Sequence, residues 1–170
     1  MGRLLMRYAD TLRPLVPEVR LLLPTQRYIR YPVIPALVEH GEQKRNWDLV
    51  VDSGSDYCYF RSEMGDTLFG KGKWQTGSPR KFPRHGISGV RILAFFHDLS
   101  ITLIDAEFRR RTIKVPVGIC QTTYEEIDGT RTVVADFAHG HAGLLGQVGF
   151  FSEFKEVTSN YNAGTITLVW

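Results

Sequence analysis

Short apolar runs broken by polar, Gly- and Pro-containing segments dominate this chain, and few of them repeat at a helical spacing. Tyr31, Val33, Ile34, Ala36, Leu37 and Val38 form a strand-like run in which Pro32 and Pro35 predict an edge or a bend. A polar turn over His40 to Asn46 leads to a second apolar strand, Trp47 to Val51, so the pair reads as a hairpin with Asp52 at its far end. Tyr57 to Phe60 continue as strand. Ser62 reads as the N-cap of a short helix over Glu63 to Phe69 that Gly70 ends. After a loop at residues 70–80, Lys81 to Ala94 reads as a hairpin whose tip holds Gly86 and Gly89. Ile92 to Ile104 is extended, Asp105-Ala106 is a turn, and Phe108 to Val117 returns as a strand. Residues 121–142 are polar and irregular around a short strand at Thr132 to Ala135. Gln147 to Phe154 predicts one or two amphipathic helical turns, and Thr165 to Trp170 a last strand.

The leading residues 1–28 stand apart. Leu4, Leu5, Tyr8, Leu12 and Leu15 make a partial helical stripe until Pro14 and Pro17 interrupt it, which predicts a short helix or an arm. The body is then residues 29–170, an all-β domain with one or two short helices.

Composition narrows the class. The chain has 170 residues, enough for one domain with a sizeable core, and 43% hydrophobic with 23% charged residues suits an ordinary globular protein. A net charge of +3 does not argue for a nucleic-acid partner. No stretch is long and apolar enough to predict a membrane span, and charges interrupt Met1 to Pro24, so the expected location is the cytoplasm. Cys58 and Cys120 lack metal-ligand spacing; Cys58 sits in an apolar run and reads as a small buried residue.

The chemistry concentrates at Leu49-Val50-Val51-Asp52-Ser53-Gly54-Ser55-Asp56. An apolar run delivers a carboxylate into a turn of small residues, where burial and neighbours can tune it. Taken alone, Asp52-Ser53-Gly54 is also an ordinary turn. A second element, Leu144-Leu145-Gly146-Gln147-Val148-Gly149-Phe150-Phe151, changes that reading. Together with Gly86-Ile87-Ser88-Gly89 between them, the three elements resemble, in order and spacing, the retropepsin-like proteases, the one-lobe relatives of retroviral proteases. The resemblance covers roughly residues 29–170. Two features depart from it: Ser53 stands where most one-lobe members have Thr, and Gln147-Val148 replaces the Arg-Asp/Asn of retroviral enzymes. The leader and the 121–142 insertion have no equivalent.

The resemblance implies a closed acid-protease barrel and a homodimer in which two Asp52 carboxyls meet across a two-fold axis. The implied activity is that of an aspartic endopeptidase needing no metal or organic cofactor, with a peptide or protein substrate and an acidic to neutral optimum. Asp52 would be catalytic, with Ser53, Gly54, Leu145 and Gly146 supporting it. Ser55 and Asp56 would touch substrate, and Gly86, Ile87, Ser88 and Gly89 would form a flap closing over it. The other reading is a catalytically silent peptide-binding or dimerisation module on the same fold. His139 and His141 lack further ligands for a metal, and strand alternation splits Arg109-Arg110-Arg111 between two faces.

Overall fold

A computed structural model describes residues 1–9, 12–14, 28–78, 80–85, 91–121, 123–127, 130–135 and 143–170. Its strands in chain order are β1 (Arg3–Arg7), β2 (Leu12–Pro14), β3 (Tyr28–Arg30), β4 (Val33–His40), β5 (Gln43–Val51), β6 (Cys58–Arg61) and β7 (Arg80–His85). They continue as β8 (Arg91–Ile104), β9 (Arg110–Cys120), β10 (Thr123–Ile127), β11 (Thr130–Ala135), β12 (Gly143–Leu145), β13 (Glu156–Asn160) and β14 (Thr165–Val169). Two short helices, α1 (Ser62–Phe69) and α2 (Lys73–Thr76), follow β6, and a single 3₁₀ turn covers Phe151–Glu153.

The main sheet runs β4-β5-β12-β6-β9-β8-β7 and closes on itself because β8 is long enough to serve two neighbours. Its first half pairs with β7 through Arg91↔His85 to Phe96↔Arg80, while Ser100 to Thr102 pair with Glu39 to Leu37 of β4. The result is a six-stranded barrel with β7 as an added strand, the all-β closed barrel expected from the sequence. Closure matters physically, since it leaves fewer open edges. Inside, Ile34, Val38, Leu49, Phe60, Leu99, Ile101, Val115, Val117, Leu145 and Phe150 form one core. Each such aliphatic or aromatic side chain contributes about 1.5–3 kcal/mol through burial.

A second sheet, β1-β14-β13, packs on the barrel core through Leu4, Met6, Ile166 and Leu168. Residues 3–7 are therefore a strand, not the helix that the spacing of Leu4, Leu5 and Tyr8 predicts. Leu4 and Met6 are buried in the barrel core while Arg3, Leu5 and Arg7 face outward, a two-residue period. The Tyr8 hydroxyl bonds the Ser159 hydroxyl, tying the end of β1 to β13. Residues 15–27 of the leader lie outside the described residues.

Five smaller differences are local. The turn between β4 and β5 is only Gly41-Glu42, with Gly41 at φ +57°. Helix α1 begins on Ser62 itself, with no side-chain cap at Arg61. Phe108 belongs to the turn before β9, with φ +60°. The expected helix over Gln147 to Phe154 shrinks to one 3₁₀ turn, because Val148 bridges to Tyr57 and Gly149 takes φ +105°. The insertion carries a hairpin, β10 with β11, where only a strand near Thr132 was expected.

Candidate active site

The short strand β12 is the element that builds the site. It inserts between β5, to which it is parallel (Leu145↔Val51), and β6, to which it is antiparallel (Gly143↔Phe60). Two distant segments, 49–58 and 143–149, are thereby zipped together at the point where β5 releases Asp52. The Asp52 N–H donates to Leu145 O at 3.0 Å. Beyond the strands, Gln147 N–H donates to Ser55 O and Val148 N–H to Asp56 O, both at 2.8 Å.

Gly146 is needed because the segments approach so closely. A Cβ there would lie 2.2 Å from Tyr57 O and 2.7 Å from Ser55 O, so any side chain would drive the backbones apart. Its N–H reaches Cys58 Sγ at 3.4 Å. Cys58 is a fully buried thiol, as its apolar setting predicts, and burial pushes its pKa up to about 11 against the opposing backbone hydrogen bonds. It fills space behind the site as a neutral group and not as a nucleophile.

Within the turn, Asp52 Oδ1 accepts the Gly54 N–H at 2.9 Å, and the Ser55 N–H donates to Asp52 O at 3.2 Å. The first bond anchors the carboxylate to the turn, and the second closes the turn itself. Among the described residues no donor reaches Oδ2, and the Asp52 residue is half-buried. The carboxyl is thus held at one oxygen and open at the other. At Gly54 the constraint is space: a Cβ would stand 3.3 Å from Asp52 Oδ1.

Of the residues expected around Asp52, Ser53, Gly54, Ser55, Asp56, Leu145 and Gly146 are all gathered by this junction. Their roles differ. Leu145 is buried and contributes its carbonyl. The Ser55 hydroxyl donates inward to Tyr57 O at 2.8 Å, so it braces the turn. Ser53, Gly54 and Asp56 are exposed beside Asp52. Gln147 is a residue that the motif alone did not single out. Its side-chain Nε2 donates to Ser53 O at 2.7 Å and clasps the Asp52 turn from across 94 residues of chain. Its position immediately after Leu145-Gly146 is the signal that could have found it. Gly86, Ile87, Ser88 and Gly89 lie outside the described residues, as do His139 and His141; the strands β7 and β8 that flank the expected flap are present.

Next to the turn, Tyr57 packs edge-on against Phe96 at 5.3 Å and Tyr59 at 6.4 Å. With Ala94, Cys120 and Ile92 they form an apolar cluster distinct from the barrel core, beside the start of the β7–β8 hairpin. Among the described residues no group of His, Cys, Asp or Glu is arranged to hold a metal ion, and no helix is long and apolar enough to cross a membrane.

No family model matches the sequence, and no curated protein matches it. Among solved structures, the chain is similar to the crystal structure of a retropepsin-like aspartic protease from Rickettsia conorii. That similarity has 14% sequence identity and a TM-score of 0.44, and it covers 98% of this chain and 90% of that one.

Proposed function

We propose that the chain is an aspartic endopeptidase, active as a homodimer with one Asp52 from each subunit. The observation that supports this reading most is the state of Asp52: one oxygen anchored by Gly54, the other without a donor among the described residues, on a turn locked between β5 and β12. The Asp-Ser-Gly and Leu-Leu-Gly elements that resemble the retropepsin-like proteases are the two segments this junction joins.

One carboxyl is a weak catalyst of amide hydrolysis. Two at hydrogen-bonding distance cannot both ionise cheaply, so the pair shares a proton and titrates as a unit. The ionised member takes a proton from water as the water attacks the scissile carbonyl. The neutral member donates to the carbonyl oxygen, and a proton then passes to the leaving amine. Gln147 and Ser55 act as positioning residues, because they hold the turn and not the reacting atoms.

The test is cleavage of a broad peptide library between pH 3 and 7 by the wild type and Asp52→Asn, with oligomeric state measured in the same samples. Cleavage that follows the dimer and falls by about 10²–10⁴-fold in Asp52→Asn is the expected result. A folded dimer without Asp52-dependent cleavage would favour the silent peptide-binding module.

A further inference from the structure

Among the described residues, six large apolar side chains are exposed: Met1, Leu5, Ile104, Phe108, Val148 and Tyr161. Three of them meet at one buried carboxylate. Asp105 starts the turn between β8 and β9, directly after Ile104. Its Oδ2 takes the Leu5 N–H of β1 at 3.4 Å, and its Oδ1 takes the N–H groups of Glu107 and Arg109 at 3.0 and 2.9 Å. The Arg109 guanidinium adds Nε and Nη2, both at 2.8 Å. This clamp fixes a corner on which Leu5, Ile104 and Phe108 are 41%, 45% and 87% exposed.

Phe108 is the informative residue. Its φ of +60° lies in the left-handed region, which a bulky aromatic side chain disfavours and which glycine or asparagine adopts readily. At 87% exposure its ring gains almost nothing from its own core. The fold thus holds a large apolar side chain outward on a rigid turn, against its local backbone preference.

The charges around it are net positive. Arg3 and Arg7 flank Leu5 on the same outward face of β1, and Arg110 is exposed opposite Ile104 in the β8–β9 register. The acids of the corner, Asp105 and Glu107, are both paired with Arg109, at 2.8 and 3.3 Å. Among the described residues no carboxylate pairs with Arg3, Arg7 or Arg110.

We propose that this corner docks on an anionic lipid surface, with Phe108, Leu5 and Ile104 entering the boundary between headgroups and acyl chains and Arg3, Arg7 and Arg110 meeting lipid phosphates. An aromatic ring at a projecting turn, with aliphatic neighbours and arginines around it, is suited to the amphipathic membrane interface. A single-stranded nucleic acid would use the arginines, but Leu5 and Ile104 give bases no stacking face. The inference stands independently of Asp52 chemistry.

The experiment is flotation of the full chain with phosphatidylcholine vesicles and with vesicles containing 30% phosphatidylserine, at low and high salt, alongside a single-stranded oligonucleotide. Binding to the anionic vesicles only, weakened by salt, is expected. Arg110→Gln should weaken it by about fivefold. Phe108→Gly should weaken it by about tenfold or more, while melting at or above the wild-type temperature because glycine relieves the φ of +60°. That melting readout separates lost docking from lost folding. Wild-type protein that ignores anionic vesicles, Phe108→Gly that floats as well as wild type, or preferential capture by the oligonucleotide would each overturn the proposal.

Discussion

Asp52 and Asp105 occupy the same kind of local structure and have opposite fates. Each follows a strand and opens a tight turn. Each accepts the N–H two residues on with Oδ1, from Gly54 and from Glu107, and each backbone carbonyl accepts the N–H three residues on, from Ser55 and from Phe108. They diverge at the second oxygen. In Asp105 it is filled by Arg109 and the Leu5 N–H, and the side chain is only 1% exposed. In Asp52 no donor reaches it among the described residues, and the turn is stiffened instead by backbone bonds from β12 and by Gln147. A saturated carboxylate is a structural rivet, whereas one held at a single oxygen is free to take a proton or a water.

The sharpest way to break this contrast is to truncate both. Asp105→Ala should cost about 3 kcal/mol, because it leaves Arg109 and the turn N–H groups without their acceptor and uncouples β1 from the β8–β9 turn. Asp52→Ala should cost no more than about 1 kcal/mol, since it removes one turn hydrogen bond. Urea denaturation of the two variants measures the difference; equal losses would mean that Asp52 is also a stability residue. Next in size is Gly146→Ala, expected at about 2 kcal/mol through overpacking. Its Cβ would strike the Tyr57 and Ser55 carbonyls, so both stability and any Asp52-dependent cleavage should fall together. Full stability in that variant would show that the two segments are less tightly joined than the hydrogen bonds imply.

How legible these two corners were differs for physical reasons. Asp52 stands out because an apolar run, an acid and a small-residue turn are contiguous, and because a second apolar-apolar-Gly element, Leu144-Leu145-Gly146, lies further along the chain. Strands β4, β5, β6, β8 and β9 of the barrel announce themselves by apolar or alternating runs, whereas β12, three residues long, does not. The Gln147 clasp was hidden, since its partner is 94 residues away and only the insertion of β12 brings them together. Asp105 read as a bare turn. Its acid-to-arginine spacing across four residues was masked by the Arg109-Arg110-Arg111 run, which invites a reading as surface charge. For β1, Leu4, Leu5 and Tyr8 satisfy a helical spacing by accident, while the alternation of Arg3, Leu5 and Arg7 with Leu4 and Met6 was the true period.

The smallest expected effects are pH steps, and they extend the comparison to a third corner. His40 stacks on Phe69 at 4.0 Å, and Phe69 stacks on the buried His97 at 4.4 Å, whose Nε2 bonds Trp74 O at 2.7 Å. Desolvation, and then the field of His97, hold the His40 pKa below its ordinary 6.5. The fold therefore prefers neutral His40. As pH falls from 6.5 towards that lower value, the unfolded chain binds more protons than the folded one, so stability should decline and then level off. Asp105 behaves differently. Desolvation raises its pKa, but the Arg109 side chain and the backbone N–H donors outweigh it and leave the carboxyl below 3.8. Its contribution is complete above 3.8 and is lost as pH falls through the lower folded value. Stability measured by urea denaturation across pH 2–8 should thus lose a shallow step near neutrality in His40→Gln, and Asp105→Asn should flatten the acid limb below 3.8. If Asp105→Asn retained the wild-type acid limb, the Asp105 clamp would not be what distinguishes the rivet from the open carboxyl.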